Sequence, residues 1–290
     1  MANFIQVTLN GVASGGLYAV LLIGILLIHH VSRVINFAHG QFAMVGGLGG
    51  YYLISKHGFT LWAAIAVAIL ATSIVAYVAK LLTDLASKEG EGYDFVLPLG
   101  VFLCLTAFGQ AVLHSGQASN FPRFTSASFR LAGAFINVDV LVTIAVTLLL
   151  VAAVFFVLER TTIGLQVHAI ATDPEVSESL GINARHLRAG VWVSSGAVAA
   201  VGGVLIANQA PVDAFYVTPF LINALIAGVF GGLHRVLAPI LVAFALGIFE
   251  NWVVFGFGAQ YRDVAVFGLA IVALGVAPVR WFAEGAEARA

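Results

Sequence analysis

Charge is what this sequence has least of. Of its 290 residues, 9% are Asp, Glu, Lys or Arg and 61% are hydrophobic. A soluble domain carries about 25% charged residues. So few charges cannot cover a water-facing surface, and a mean hydropathy of +1.02 points to lipid as the solvent. The formal net charge is -1 and no long basic run exists, so nucleic-acid binding lacks its electrostatic footprint. Cysteine is nearly missing: Cys104 stands alone in an apolar run. That excludes an internal disulfide and a cysteine-type zinc site. The G-x-x-x-x-G-K-[ST] loop that cradles nucleotide phosphates is absent. So are H-E-x-x-H and G-x-S-x-G, which leaves an intramembrane enzyme without a recognisable constellation. The start, Met1 to Gln6, lacks the basic region of a secretory signal. The first apolar segment is therefore expected to belong to the mature structure.

What is present is a series of long apolar runs. A spanning helix needs about 20 mostly apolar residues. Candidates lie at 5–29, 36–54, 59–82, 94–114, 137–158, 188–208, 217–233, 236–257 and 263–281. The runs are continuous, whereas barrel strands alternate apolar and polar residues. The expectation is an all-α polytopic membrane protein, one domain over 1–290, with eight or nine transmembrane helices. The segment Asn36 to Ile54 is rich in glycine and carries His39 and Gln41, so it is expected to be broken or re-entrant if any span is. Glycine, with 31 residues, suits close helix approach in membranes. Trp62, Trp192, Trp252 and Trp281 read as interfacial anchors, and Pro98 and Pro239 as helix kinks or starts.

Two connections are long. Segment 115–136 contains Pro122, serines and aromatics but no acid, and segment 159–187 is basic-flanked. Placing 159–187 in the cytoplasm puts Arg33, Lys80, Lys88, Arg160, Arg185, Arg188, Arg235, Arg280 and Arg289 inside. Lys56, Arg123, Arg130 and Arg262 then fall outside. That asymmetry follows the positive-inside rule, with the C-terminus inside. Within 159–187, Asp173 is a good N-cap and Pro174 fits the first helical position. Glu175 and Glu178 suit the helix dipole, and Gly181 is a natural stop. A short helix over 174–180 follows, with Val176 and Leu180 on one face and Ile182 just beyond. Such a knob suits docking into a groove on another protein, or packing on its own chain.

Thr162, Gly164, Ala169, Asp173, Gly181 and Ile182 match, in order and spacing, the cytoplasmic loop of permeases in branched-chain amino acid ABC importers. The run Ile35-Asn36-Phe37-Ala38-His39-Gly40 is similar to an element of the same family. Asn10-Gly11, Gly16-Leu17-Tyr18-Ala19, Gly231-Gly232, Gly247, Glu250, Tyr261, Asp263 and Pro278 resemble further family positions. The chain is identified as a member on this resemblance, which covers nearly its whole length and is closer to the shorter of the two permeases. Four places depart from the pattern: Gln41 where an acid is usual, His168 where arginine is common, His234-Arg235 after the double glycine, and the ending Ala277-Pro278-Val279-Arg280. They leave the substrate open.

The resemblance implies a type II-like importer permease in the bacterial inner membrane. It implies a second permease chain, two cytoplasmic ATPase subunits and a periplasmic substrate-binding protein. This chain would hold no cofactor, with ATP and Mg bound by the ATPases. Thr162, Gly164, Ala169, Asp173, Pro174, Glu175, Leu180, Gly181 and Ile182 would form the ATPase-coupling site. Urea or short amides are the nearest alternative substrates. A stand-alone secondary transporter is the alternative from another class. It would need ion-coupling acids inside the spans, where Glu250 stands apart, with Asp139 near an end.

Polar residues inside a membrane are costly and are functional candidates by default. Glu250, beside Asn251, reads either as a pathway carboxylate or as a hydrogen-bond anchor between helices. Asn36 and His39, with Gly40 and Gln41, either line the pathway or satisfy backbone groups freed at a glycine-rich bend. Asn36 and His39 share a face if the segment is helical there. His29 and His30 end the first run and read as interfacial; a metal site would need partners such as His39 or His114 at matched depth.

Overall fold

A computed structural model describes residues 2–32, 36–86, 93–113, 121–125, 127–131, 134–233 and 235–276. Arg33, Ile35, Lys88, His114, His234, the ending from Ala277 to Arg280, Trp281 and Arg289 lie outside them.

Lipid offers the backbone no hydrogen-bond partners, so each apolar run must close its own bonds as a helix. The helices are α1 (Ala2–Ser32), α2 (His39–His57), α3 (Leu61–Ala86), α4 (Tyr93–Leu113) and α5 (Val138–Arg160). They continue with α6 (Thr162–Thr172), α7 (Pro174–Ser179), α8 (Ala184–Ala207), α9 (Thr218–Gly231), α10 (Leu237–Phe257) and α11 (Arg262–Val276). By length and composition, α1, α3, α4, α5, α8 and α10 are able to cross a membrane. The remaining apolar runs also form helices. Of these, α9 has 14 residues, α11 has 15, and α2 is diluted by glycine and polar groups. The chain is a multi-pass membrane protein built of helices.

Four local features differ from the expectations or add to them. Asn36–Ile54 is not broken: α2 runs without interruption from His39 to His57. Asn36 precedes that helix, so it shares no helical face with His39. The connection over 115–136 contains an antiparallel hairpin, β1 (Ser128–Leu131) with β2 (Ala134–Asn137). Here Arg130 lies 4.1 Å over the Phe135 ring. Trp62 and Trp252 are exposed, but Trp192 is buried and its Nε1 donates to Ser32 Oγ at 3.4 Å. It is a core residue rather than an anchor.

The bundle is organised around α1, which is buried at every position from Leu17 through Ile28. α1 and α10 run antiparallel in close contact. A Cβ on Gly11 would lie 2.7 Å from Ile248 Cα, and one on Gly15 would lie 2.6 Å from Phe244 Cα. Thr8 Oγ1, earlier on α1, accepts from Trp252 Nε1, later on α10. α2 lies against α8 in the same way, with Gly46 facing Ala200. Small residues let these backbones approach, which is how helices gain packing energy where lipid removes the hydrophobic drive. The outward faces are apolar: Leu70 and Ile74 on α3, Leu103 on α4, and Leu149 and Phe156 on α5 are all exposed.

Candidate functional site

Two regions carry the chemistry. The first is the helical elbow between α5 and α8. Gly164 allows the sharp turn from α5 into α6, because a Cβ there would collide with the backbone of Leu158. Thr162 opens α6, and Thr161 caps it by accepting from Gly164 N. At the other end the Ala169 carbonyl accepts from Asp173 N at 3.0 Å. Asp173 then caps α7, its Oδ1 accepting from Val176 N at 3.0 Å, with Pro174 in the first turn beside Glu175. The stop is made at Gly181, where φ is +86°. Gly181 N donates to Glu178 O and Ile182 N to Ser177 O, satisfying carbonyls that a helix end leaves open. The expected helix over 174–180 is thus present, with Leu180 as its cap. Its knob is uncovered: Leu180 is 77% exposed and Val176 53%. α6 adds exposed Ile163 and Leu165, while its Val167 and Ile170 turn inward. The sequence reading missed α6 as a helix, because neither Thr161 nor Thr162 stands out there as a start signal.

The second region is a set of polar groups on α1, α2, α8, α9, α10 and α11, with His39, Gln41, Ser195 and Glu250 buried among them. At the start of α2, Asn36 Oδ1 accepts from Ala38 N at 3.0 Å, so Asn36 serves the backbone of the bend. His39 is fully buried. Its Nδ1 lies 3.3 Å from Ser195 Oγ, and Ser195 donates its proton to Gly24 O at 2.9 Å. That network puts the imidazole proton on Nδ1. Among the described residues, Asn36 Nδ2, His39 Nε2 and Gln41 Oε1 have no hydrogen-bond partner. An unpartnered buried polar group costs about 1–3 kcal/mol. Gly40 beside them faces Leu221 of α9.

Glu250 sits in the middle of α10 with 2% exposure, and it is not alone. Tyr18 of α1 donates its hydroxyl proton to Glu250 Oε2, and Asn223 Nδ2 of α9 donates to the same oxygen at 3.3 Å. Arg262, the first residue of α11, brings its Nε to 3.0 Å from Oε1. One carboxylate therefore ties four helices. Asn251, next along α10, donates to Ser14 Oγ of α1 at 3.2 Å and to Gly247 O at 2.9 Å. The structure thus brings Glu250 and Asn251 to the α1–α10 contact. It places Asn36, His39, Gly40 and Gln41 at a separate spot, where α2 meets α1, α8 and α9. Arg262, Asn223 and Ser195 were not among the candidate residues. Arg262 was legible as a cation at the head of the last apolar run, but nothing in its spacing from Glu250 announces a pair across a helix turn.

Apolar outer faces, tight helix contacts, charges stitched inside and a capped helical elbow together define a multi-pass helical membrane protein. The chain belongs to the family described as branched-chain amino acid transport system / permease component, whose model matches residues 7–274. It is 28% identical over 293 residues to the high-affinity branched-chain amino acid transport system permease protein BraD of Pseudomonas aeruginosa, covering 94% of this chain and 93% of that protein. It is 26% identical over 306 residues to the corresponding permease protein LivH of Escherichia coli K12, covering 95% and 94%. A probable LivH of Methanocaldococcus jannaschii matches at 23% over 248 residues, covering 82% and 78%. Among solved structures, a chain of PsaBC from Streptococcus pneumoniae in complex with Fab superposes with a TM-score of 0.52 at 13% identity, covering 97% of this chain and 94% of that chain. At that identity the likeness speaks for the fold alone.

Proposed function

We propose that this chain is the membrane-spanning permease subunit of an ATP-binding-cassette importer that moves branched-chain or related hydrophobic amino acids across the bacterial inner membrane. The observation that carries the reading is the family match over residues 7–274. The names of relatives matched over nearly their whole length point to the same substrates. Two ATPase subunits bind and hydrolyse Mg-ATP, a second permease completes the pathway, and a periplasmic binding protein delivers the substrate. The chain acts as a single domain with eight or nine transmembrane helices and a cytoplasmic C-terminus, the side on which the positive-inside asymmetry puts it.

The α6–α7 elbow, within 159–187, is the ATPase contact. A helix of one and a half turns, fixed at both ends by its own caps, presents Val176 and Leu180 without cover. A rigid, pre-formed knob transmits motion because little ordering entropy is lost when it docks. ATP-driven closure of the ATPases pulls on α7. The pull passes through α6 to α5 and α1 and through the 182–184 link to α8. Alternating access then needs no ion-coupling acids in the spans.

The test is uptake by the whole importer, this chain co-expressed with its ATPase and permease partners and reconstituted in proteoliposomes. ATP inside the ATPase-facing compartment should drive uptake of leucine, isoleucine or valine delivered by the binding protein. Uptake of urea with no amino-acid uptake would replace the substrate. Uptake that ignores ATP and follows an ion gradient would sink the importer reading.

A further inference from the structure

The Glu250 cluster has a feature that a purely structural tie does not need. Glu250 is buried at 2% exposure, yet the side chain of Arg262 that pairs with it is 48% exposed. A guanidinium kept only to balance a buried carboxylate would be covered together with it, whereas half of the Arg262 side chain stays open. Here the carboxylate is held from three sides, by Tyr18, Asn223 and Arg262. Both its oxygens are engaged, so its own capacity is spent on positioning. Arg262 is different. Arginine offers five N–H donors in a planar fork, and the contact at 3.0 Å engages the Nε edge. Among the described residues Glu250 is its ion-pair partner, and no ion pair joins it to the adjacent Asp263. The side chain is 48% exposed, and a guanidinium fork is suited to a carboxylate.

We propose that Arg262, oriented by Glu250, is a binding point for the carboxylate of the transported amino acid. The proposal rests on the importer reading above. Tyr18 and Asn223 are positioning residues, since they touch Glu250 and not the substrate. The site sits where α10 turns through the short 3-10 segment Ala259–Tyr261 into α11, close to Tyr261 and Phe257, which are exposed. Recognition there reads the part common to all amino acids and leaves the side chain to apolar surroundings. It explains how a pathway with few charges accepts a zwitterion without binding it tightly. One fork engages one carboxylate, while the buried Glu250 partly offsets the cation.

The experiment uses the complete importer in proteoliposomes, with leucine as the probe and three versions of this chain: wild type, Arg262→Lys and Arg262→Gln. Leucine uptake, ATP hydrolysis stimulated by the loaded binding protein, and the melting temperature of the complex are read on the same preparations. The expected result is a loss of leucine uptake of about tenfold in Arg262→Gln with stimulated ATP hydrolysis near wild type, and a modest fall in melting temperature that Arg262→Lys largely restores. More ATP is then spent per leucine moved. Arg262→Lys, which keeps the charge and loses the fork, falls between. Wild-type uptake by Arg262→Gln overturns the proposal. So does a parallel fall in uptake, ATP hydrolysis and melting temperature with no rescue by lysine, which makes Arg262 a structural tie. A defect that tracks the anionic lipid content of the vesicles assigns the guanidinium to a lipid phosphate and also overturns it. If the wild-type importer moves no leucine, the importer reading itself falls, and the proposal with it.

Discussion

Replacing Gly181 by valine isolates the backbone at the end of α7 from everything around it. A Cβ at Gly181 would find nothing within 4 Å, so no clash accompanies the change. What changes is the cost of φ at +86°. An L-residue in the left-handed region costs about 1–2 kcal/mol, and a β-branched one more. Against that stand the caps of a six-residue helix: Asp173 on Val176 N, and the bonds from Leu180, Gly181 and Ile182 back to Val176, Glu178 and Ser177. A change of one to two kcal/mol shifts such a local equilibrium roughly 5–30-fold. The knob of Val176 and Leu180 is then presented correctly only part of the time. The assay is leucine moved per ATP hydrolysed by reconstituted importer, with thermal melting beside it. Gly181→Val should lower that ratio several-fold at an unchanged melting temperature, because the bundle lies elsewhere. Gly181→Asn, which tolerates the left-handed region, should stay near wild type. Valine behaving like glycine would refute the reasoning. Asparagine as damaging as valine would mean that side-chain volume, not backbone conformation, is what the partner senses.

Three more outcomes follow from the packing. Glu250→Gln should lower the melting temperature of the purified complex less than Glu250→Leu, because the amide still meets Tyr18 and Asn223. Removing one member of a buried pair costs about 3–5 kcal/mol, and the exposure of Arg262 discounts that to about 1–3 kcal/mol; equal losses would point to a required charge. Gly247→Ala places a methyl against the backbone of Gly15 across the α1–α10 contact, so it should cost about 1–3 kcal/mol of stability in a chemical melt, and an unshifted melt would contradict the close contact. Gly24→Ala drives a methyl into the His39 imidazole, and should weaken both stability and uptake. His39→Ala in the same chain should restore much of the stability if the clash is the cause.

Much of the fold was legible because lipid leaves the backbone few choices. Each of the nine apolar runs became a helix, since a continuous apolar run has no other way to satisfy its backbone. The α7 helix was legible to within one residue, because Asp173, Pro174 and Gly181 each act locally. α2 was misjudged from its glycines. In water, Gly46, Gly47, Gly49 and Gly50 would weaken a helix, but here Gly46 admits Ala200 and Gly47 lies against Tyr216 and Gly203 of the neighbouring segment. The hairpin was not legible because two four-residue strands show no alternation long enough to read. Trp192 was assigned by residue type alone, which cannot tell a buried indole from an interfacial one. The polar cluster was legible in one member. Glu250 stands out in an apolar run, but its partners lie 232, 27 and 12 positions away on three other helices. Only packing brings them together.

The most direct measurement is the composition of the complex. The tagged chain, extracted in mild detergent from cells that express its neighbouring transport components, should carry with it an ATPase and a second permease, seen by native mass spectrometry as two ATPases per pair of permeases. Leu180→Asp, which charges the exposed knob without touching the bundle, should release the ATPase and keep the second permease. A chain that purifies alone, under conditions that keep a known importer intact, would contradict the account and return the α6–α7 elbow to an ordinary surface loop.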